Sequence, residues 1–121
     1  MRVIERVVKA IRPGASFITP SGRSKFVVER VDYDGIKLRV GQGWPISIKT
    51  ECLQGIPSFL KGKGWVRIGA THGQPPEGSL DEYLQKFTYG VSAASDVVPI
   101  LEKIGIVEVN RKRPYRIRLI E

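Results

Sequence analysis

The chain has 121 residues, 41% of them hydrophobic, enough to bury a core as one compact domain or two very small ones. Twenty Lys and Arg against 12 Asp and Glu leave a formal charge of +8, which attracts a polyanion without naming it. The lone Cys52 excludes an internal disulfide and a Cys-rich zinc site, and no run approaches the roughly 18 apolar residues of a membrane span.

With no apolar signal segment at the N-terminus, a reducing, cytoplasmic setting is expected. Asn110 is the only asparagine and charged residues abound, which points weakly to a thermophilic source. In chain order, Val3, Ile4, Val7, Val8 and Ile11 repeat as one apolar stripe of a helix that Pro13-Gly14 ends, with a strand as the alternative because the run is β-branched.

From Ser16 the pattern changes to strands: SFIT, a turn at Pro20-Ser21-Gly22-Arg23, KFVVERVD, a turn at Tyr33-Asp34-Gly35, IKLRVG and WPISI. Asp34-Gly35 between apolar runs predicts a hairpin, since glycine tolerates the positive φ of tight turns. Phe26, Val28 and Val31 against Ile36, Leu38 and Val40 predict one buried face, with Lys25, Arg30, Lys37 and Arg39 outward. Residues 15–48 would form a small antiparallel sheet or partial barrel, too small to stand alone. Trp44 and Trp65 are expected as core anchors, although basic residues beside Trp44 also suit stacking on a base.

Thr50 to Leu60 reads as a helix with Cys52, Leu53, Ile56 and Leu60 on one face, interrupted by Gly55 and Pro57, and Cys52 as a small buried apolar residue. WVRIGA reads as a short strand and the stretch from His72 to Gly78 as a loop. Ser79 with Glu82 three residues on is a capping box opening the helix SLDEYLQKF. Thr88-Tyr89-Gly90-Val91 is then a turn, and Ser92 or Ser95 caps a second helix that Gly105 ends. IVEV and YRIRLI alternate as a hairpin with a basic tip, Asn110 to Pro114.

Two helices joined by a short turn containing glycine are a helix-turn-helix arrangement. The order helix, strand, helix, helix, strand, loop, strand, with the phrase PILEKIGIVEV before a basic hairpin, resembles the winged-helix superfamily over residues 50–121. The expected fold class is therefore α+β, an N-terminal helix and small antiparallel sheet (residues 1–49) packed on a C-terminal winged helix (residues 50–121). The resemblance implies a recognition helix at about 92–104 whose first residues, Tyr89, Ser92, Ser95 and Asp96, face the major groove. It also implies a wing whose Arg111, Lys112 and Arg113 touch phosphates or the minor groove. Arg116, and Arg23, Lys25 and Arg39 of the sheet, are further candidate DNA contacts.

Two features pull against this expectation. Residues 71–102 hold one basic residue, Lys86, against five acids, Glu77, Asp81, Glu82, Asp96 and Glu102, and an acidic recognition helix binds phosphates poorly. Pro99 should kink or shorten its helix unless it lies in the first turn. The sequence therefore supports double-stranded DNA as the expected partner, with a protein-interaction module as the alternative; a homodimer is compatible with either. No enzyme, cofactor or metal is expected, because His72 is the only histidine, Gly41-Gln42-Gly43 and Gly62-Lys63-Gly64 lack phosphate-loop spacing, and Asp32 and Asp34 sit in a turn.

Overall fold

Helix α1 (Val3–Ala10) forms where the apolar stripe has helical spacing, and it buries Val3, Ile4 and Val7. Its N-cap, Arg2, offers no side-chain acceptor, and the orphan N–H of Ile4 instead donates to Gln54 Oε1 at 2.9 Å. The computed structural model describes residues 2–41, 43–69, 74–88 and 92–120.

Strands β1 (Ser16–Ile18), β2 (Lys25–Asp32), β3 (Gly35–Val40) and β4 (Trp44–Lys49) pair in that order as an antiparallel sheet. Phe26, Val28, Ile36, Leu38, Ile46 and Ile48 turn inward and are buried. The offset between Val28 and Val31 has a physical reason: a register shift between Val28 and Arg30 adds one residue to β2, so Val31 returns to the inner face opposite Ile36. The β2–β3 loop is Tyr33-Asp34, one residue earlier than the sequence pattern suggested, with Asp32 paired to Gly35. Asp34 N–H donates to Asp32 Oδ1 at 2.9 Å, and Gly35 is the first residue of β3. A Cβ there would stand 2.2 Å from the carbonyl oxygen of Ile48, so the strands approach too closely for a side chain.

Strand β4 passes directly into α2 (Thr50–Leu60). Thr50 N–H and Oγ1–H donate to the carbonyls of Asp34 and Tyr33 at 3.0 and 2.6 Å, fixing the helix start to the hairpin loop. The expected interruption at Gly55 and Pro57 does not occur. Gly55 leaves room instead: a Cβ would lie 2.3 Å from Tyr83 Oη, whose hydroxyl donates to the Cys52 carbonyl at 2.9 Å.

Then come β5 (Val66–Arg67), α3 (Leu80–Thr88), α4 (Ala94–Lys103), β6 (Val107–Asn110) and β7 (Arg116–Leu119). The second sheet has the order β5-β7-β6, all antiparallel. Ser79 Oγ accepts from Glu82 N–H at 3.2 Å, as a capping box requires, but the Glu82 carboxylate reaches back to Gly78 N–H at 3.0 Å. Helix α4 starts at Ala94, two residues after the first expected cap, and runs through Pro99.

The chain is α+β, and buried residues from both halves, among them Ile4, Leu38, Leu53, Leu84, Ile100 and Ile117, belong to one hydrophobic cluster. No helix among the described residues is long and apolar enough to cross a membrane. Trp44 and Trp65 are not core anchors: they are 76% and 40% exposed. Smaller aliphatic residues fill the interior, while the Arg118 guanidinium lies 4.6 Å from the Trp65 ring centre.

Candidate functional site

Helix α4 leaves little surface for a groove. Ala94 and every residue from Asp96 to Leu101 are buried, and α4 packs against β1, β6 and α3. Of the residues expected to face a groove, Asp96 is buried, whereas Ser92 is exposed and Ser95 half-buried. The Ser92 hydroxyl donates to both carboxylate oxygens of buried Asp81, at 3.1 and 3.2 Å. Asp96 is 8% exposed, and burial lifts its carboxyl to about 6. Tyr89 and His72 lie outside the described residues.

The acids of the helix pair have internal duties. Asp81 also accepts from Gln85 Nε2 at 2.9 Å, Glu82 closes the α3 cap, and Glu102 takes the Arg111 guanidinium in a bidentate bridge at 2.9 and 2.7 Å. That bridge holds the Glu102 carboxyl below its ordinary value and folds Arg111 back onto α4. Among the five acids of the segment, Glu77 alone is exposed with no partner among the described residues.

The outer face of the first sheet is neutralised in the same way. Glu29 binds Arg39, and Lys37 at 3.7 Å, so its carboxyl is lowered chiefly by the Arg39 hydrogen bond; Arg39 also donates to the Gly43 carbonyl at 2.8 Å. Arg30 pairs with Asp32 at 3.2 Å. Lys25 stays exposed and unpaired among the described residues, as does Lys112 at the hairpin tip, whose N–H donates to Asn110 Oδ1 at 3.0 Å.

Unpaired basic groups gather elsewhere, around a cleft of about 540 Å3. Arg23 comes from the β1–β2 turn, Arg67 from β5 and Arg113 from the β6–β7 hairpin, with Ser21 and Ser95 between them. Pro20, Ile68, Pro114 and Tyr115 supply apolar wall. None of the three arginines has an acidic partner among the described residues.

The turn carrying Arg23 is held by buried Thr19, whose Oγ1 accepts from Ser24 N–H at 3.3 Å and whose carbonyl accepts from Gly22 N–H at 2.8 Å. At the cleft, Gly69 has φ +74°, and a Cβ on it would lie 2.6 Å from Ser79 Oγ, so only glycine lets β5 lead past the α3 cap.

Arg116, half-buried on β7, stands directly opposite Arg67. Two like charges at facing positions of an antiparallel pair repel, and no carboxylate lies between them among the described residues. Of the candidates read from the sequence, Arg23, Ser95 and Arg113 meet at the cleft and Arg116 adjoins it; Ser92, Arg39 and Arg111 are tied to acids, and Lys25 lies on the outer sheet face. Sequence reasoning missed Arg67. Its signal was present, because alternation in WVRIGA buries Val66 and Ile68 and turns the residue between them outward.

Among the described residues, no three His, Cys, Asp or Glu side chains come together as a metal-ligand set. Comparison with protein-family models, curated proteins and solved structures finds no match for the chain.

Proposed function

We propose that the protein binds double-stranded DNA through a winged-helix arrangement in residues 50–121, gripping phosphates with the hairpin and the cleft arginines and inserting no helix into the major groove. The observation that carries this reading is that four arginines without acidic partners among the described residues, Arg23, Arg67, Arg113 and Arg116, are brought by separate elements to one region of a chain with net charge +8. The strand order β5-β7-β6, with α3 and α4 between β5 and β6, supports the winged-helix assignment. Such contacts position a protein on the duplex and carry little sequence information, so weak sequence preference accompanies this reading. Helix α4 then serves as scaffold: its first turn supplies Ser95, and its last turn anchors Arg111 through Glu102.

The protein-interaction alternative drew on the acidic helix pair. Asp81, Glu82 and Glu102 have intramolecular partners and Asp96 is buried, which removes most of that motive.

The test is fluorescence anisotropy with a labelled random-sequence 20-bp duplex at several salt concentrations. The wild-type protein should lose affinity steeply with salt, and R67A/R113A/R116A should flatten the log-log slope by roughly 3, about 0.9 per phosphate contact. No binding at low salt, or a slope unchanged by the triple substitution, would overturn the proposal.

A further inference from the structure

Within that interface we infer that the cleft is a nucleotide pocket, which seats one nucleotide bearing a terminal phosphate monoester, its phosphate among Arg23, Arg67 and Arg113 and its base against Tyr115 and Pro114. The inference rests on the DNA-binding reading and adds a ligand class to it.

Size is the first observation. A cleft of about 540 Å3 falls within the roughly 300–1,000 Å3 of small-molecule sites, whereas tracking a duplex backbone needs only a groove or ridge. Charge is the second. An internal phosphodiester carries about one negative charge, while a phosphate monoester carries roughly −1.5 to −2 at neutral pH and offers three acceptor oxygens. Three guanidiniums without carboxylate partners match the monoester, since each can direct paired N–H donors at phosphate oxygens.

The third observation is that Arg67 and Arg116 face each other with no carboxylate between them, an arrangement that a bound dianion would relieve. The apolar wall is the fourth, because a bare phosphate has no use for Tyr115 and two prolines, whereas a base stacks or packs against such surfaces. The hydroxyls of Ser21 and Ser95 add neutral donors suited to the phosphate or the sugar.

The same chemistry could come from a strand end or from a free nucleotide. The experiment uses the full chain and four fluorescently competed probes: a 12-nucleotide single strand with a 5′-phosphate, the same strand with a 5′-hydroxyl, deoxythymidine 5′-monophosphate, and closed circular plasmid DNA, which has no ends. The phosphorylated strand should bind at least about tenfold tighter than the hydroxyl strand, and R23A/R113A should abolish that preference while plasmid binding falls only through lost charge.

Monophosphate that competes as well as the phosphorylated strand, and loses this ability in R23A/R113A, supports the pocket with a free nucleotide as its source. Equal affinity for the two strands, with no competition by the monophosphate, overturns the pocket while leaving duplex binding intact. Failure to bind plasmid at low salt overturns the DNA-binding reading itself.

Discussion

Asp96 shows how one buried carboxyl can shape the pH response. Its folded value of about 6 lies above the ordinary 3.8, so the folded state binds a proton more readily than the unfolded chain. Folding is penalised wherever Asp96 must be charged, and the penalty fades as pH falls through 6 and is gone below about 4. About two pH units correspond to roughly 2–3 kcal/mol at pH 7. We expect D96N to raise stability at pH 7 by about 2 kcal/mol and to flatten its change between pH 6 and 4.5, measured by denaturant melts at fixed pH. Glu29 and Glu102 act with the opposite sign: arginine partners lower their values, so their contribution is present above the ordinary 4.5 and lost at more acid pH. The two windows barely overlap, which makes the Asp96 effect separable.

Tyr83 and Gly55 form a second residue-scale couple. Burial, with Cys52 beside it, raises the Tyr83 hydroxyl to about 12, and that hydroxyl occupies the space above Gly55. G55A should displace it and cost about 1–3 kcal/mol. In the G55A/Y83F double variant the two losses should add to less than their sum, because the clash and the hydrogen bond share one oxygen. Denaturation midpoints of the four proteins measure this directly.

At the scale of elements, the Arg111–Glu102 bridge ties the β6–β7 hairpin to α4. The bridge is partly exposed, so E102Q should cost less than about 1 kcal/mol of stability. The same change frees Arg111, and under the proposed function it should tighten duplex binding and steepen the salt slope by about 1. Element existence was legible in the sequence because each element obeys a local rule: α1 by its stripe, β2 and β3 by alternation, α3 by Ser79 and Glu82. What local rules omit is the partner. Gly55 read as a breaker because the space required by Tyr83, 28 residues on, is invisible to spacing alone. Likewise α4 shows a polar residue or two at its start, and nothing in that segment tells that β1 will cover it. At the cleft, Arg23 and Arg113 stood out as basic turn residues, whereas Arg67 was hidden in a short strand until β7 set Arg116 opposite it.

For the whole molecule, charge is sorted by pairing more than by sequence. The outer face of the first sheet and the helix pair look strongly charged along the chain, yet Glu29, Asp32 and Glu102 each hold an arginine there, as Glu108 does on the second sheet. Among the described residues, Arg23, Arg67, Arg113 and Arg116 meet around the cleft without acidic partners, while other unpaired basic residues, such as Arg6 and Lys9 of α1, stand apart from it. Reversing the cleft arginines should therefore matter more than reversing two arginines of the paired face. R23E/R113E should abolish plasmid binding at 50 mM salt, whereas R30E/R39E, on the paired face, should leave most of it, by the same anisotropy competition.

The direct passage of β4 into α2 has a dynamic corollary. With no linker residue between Lys49 and Thr50, and with α2 packed on α1, β3 and β7, opening either half would pull apart the layer shared by both. Backbone amides of Leu38 in the first sheet and Ile100 in α4, both fully buried, should then exchange with deuterated solvent through the same global opening, at matching free energies and with matching denaturant dependence.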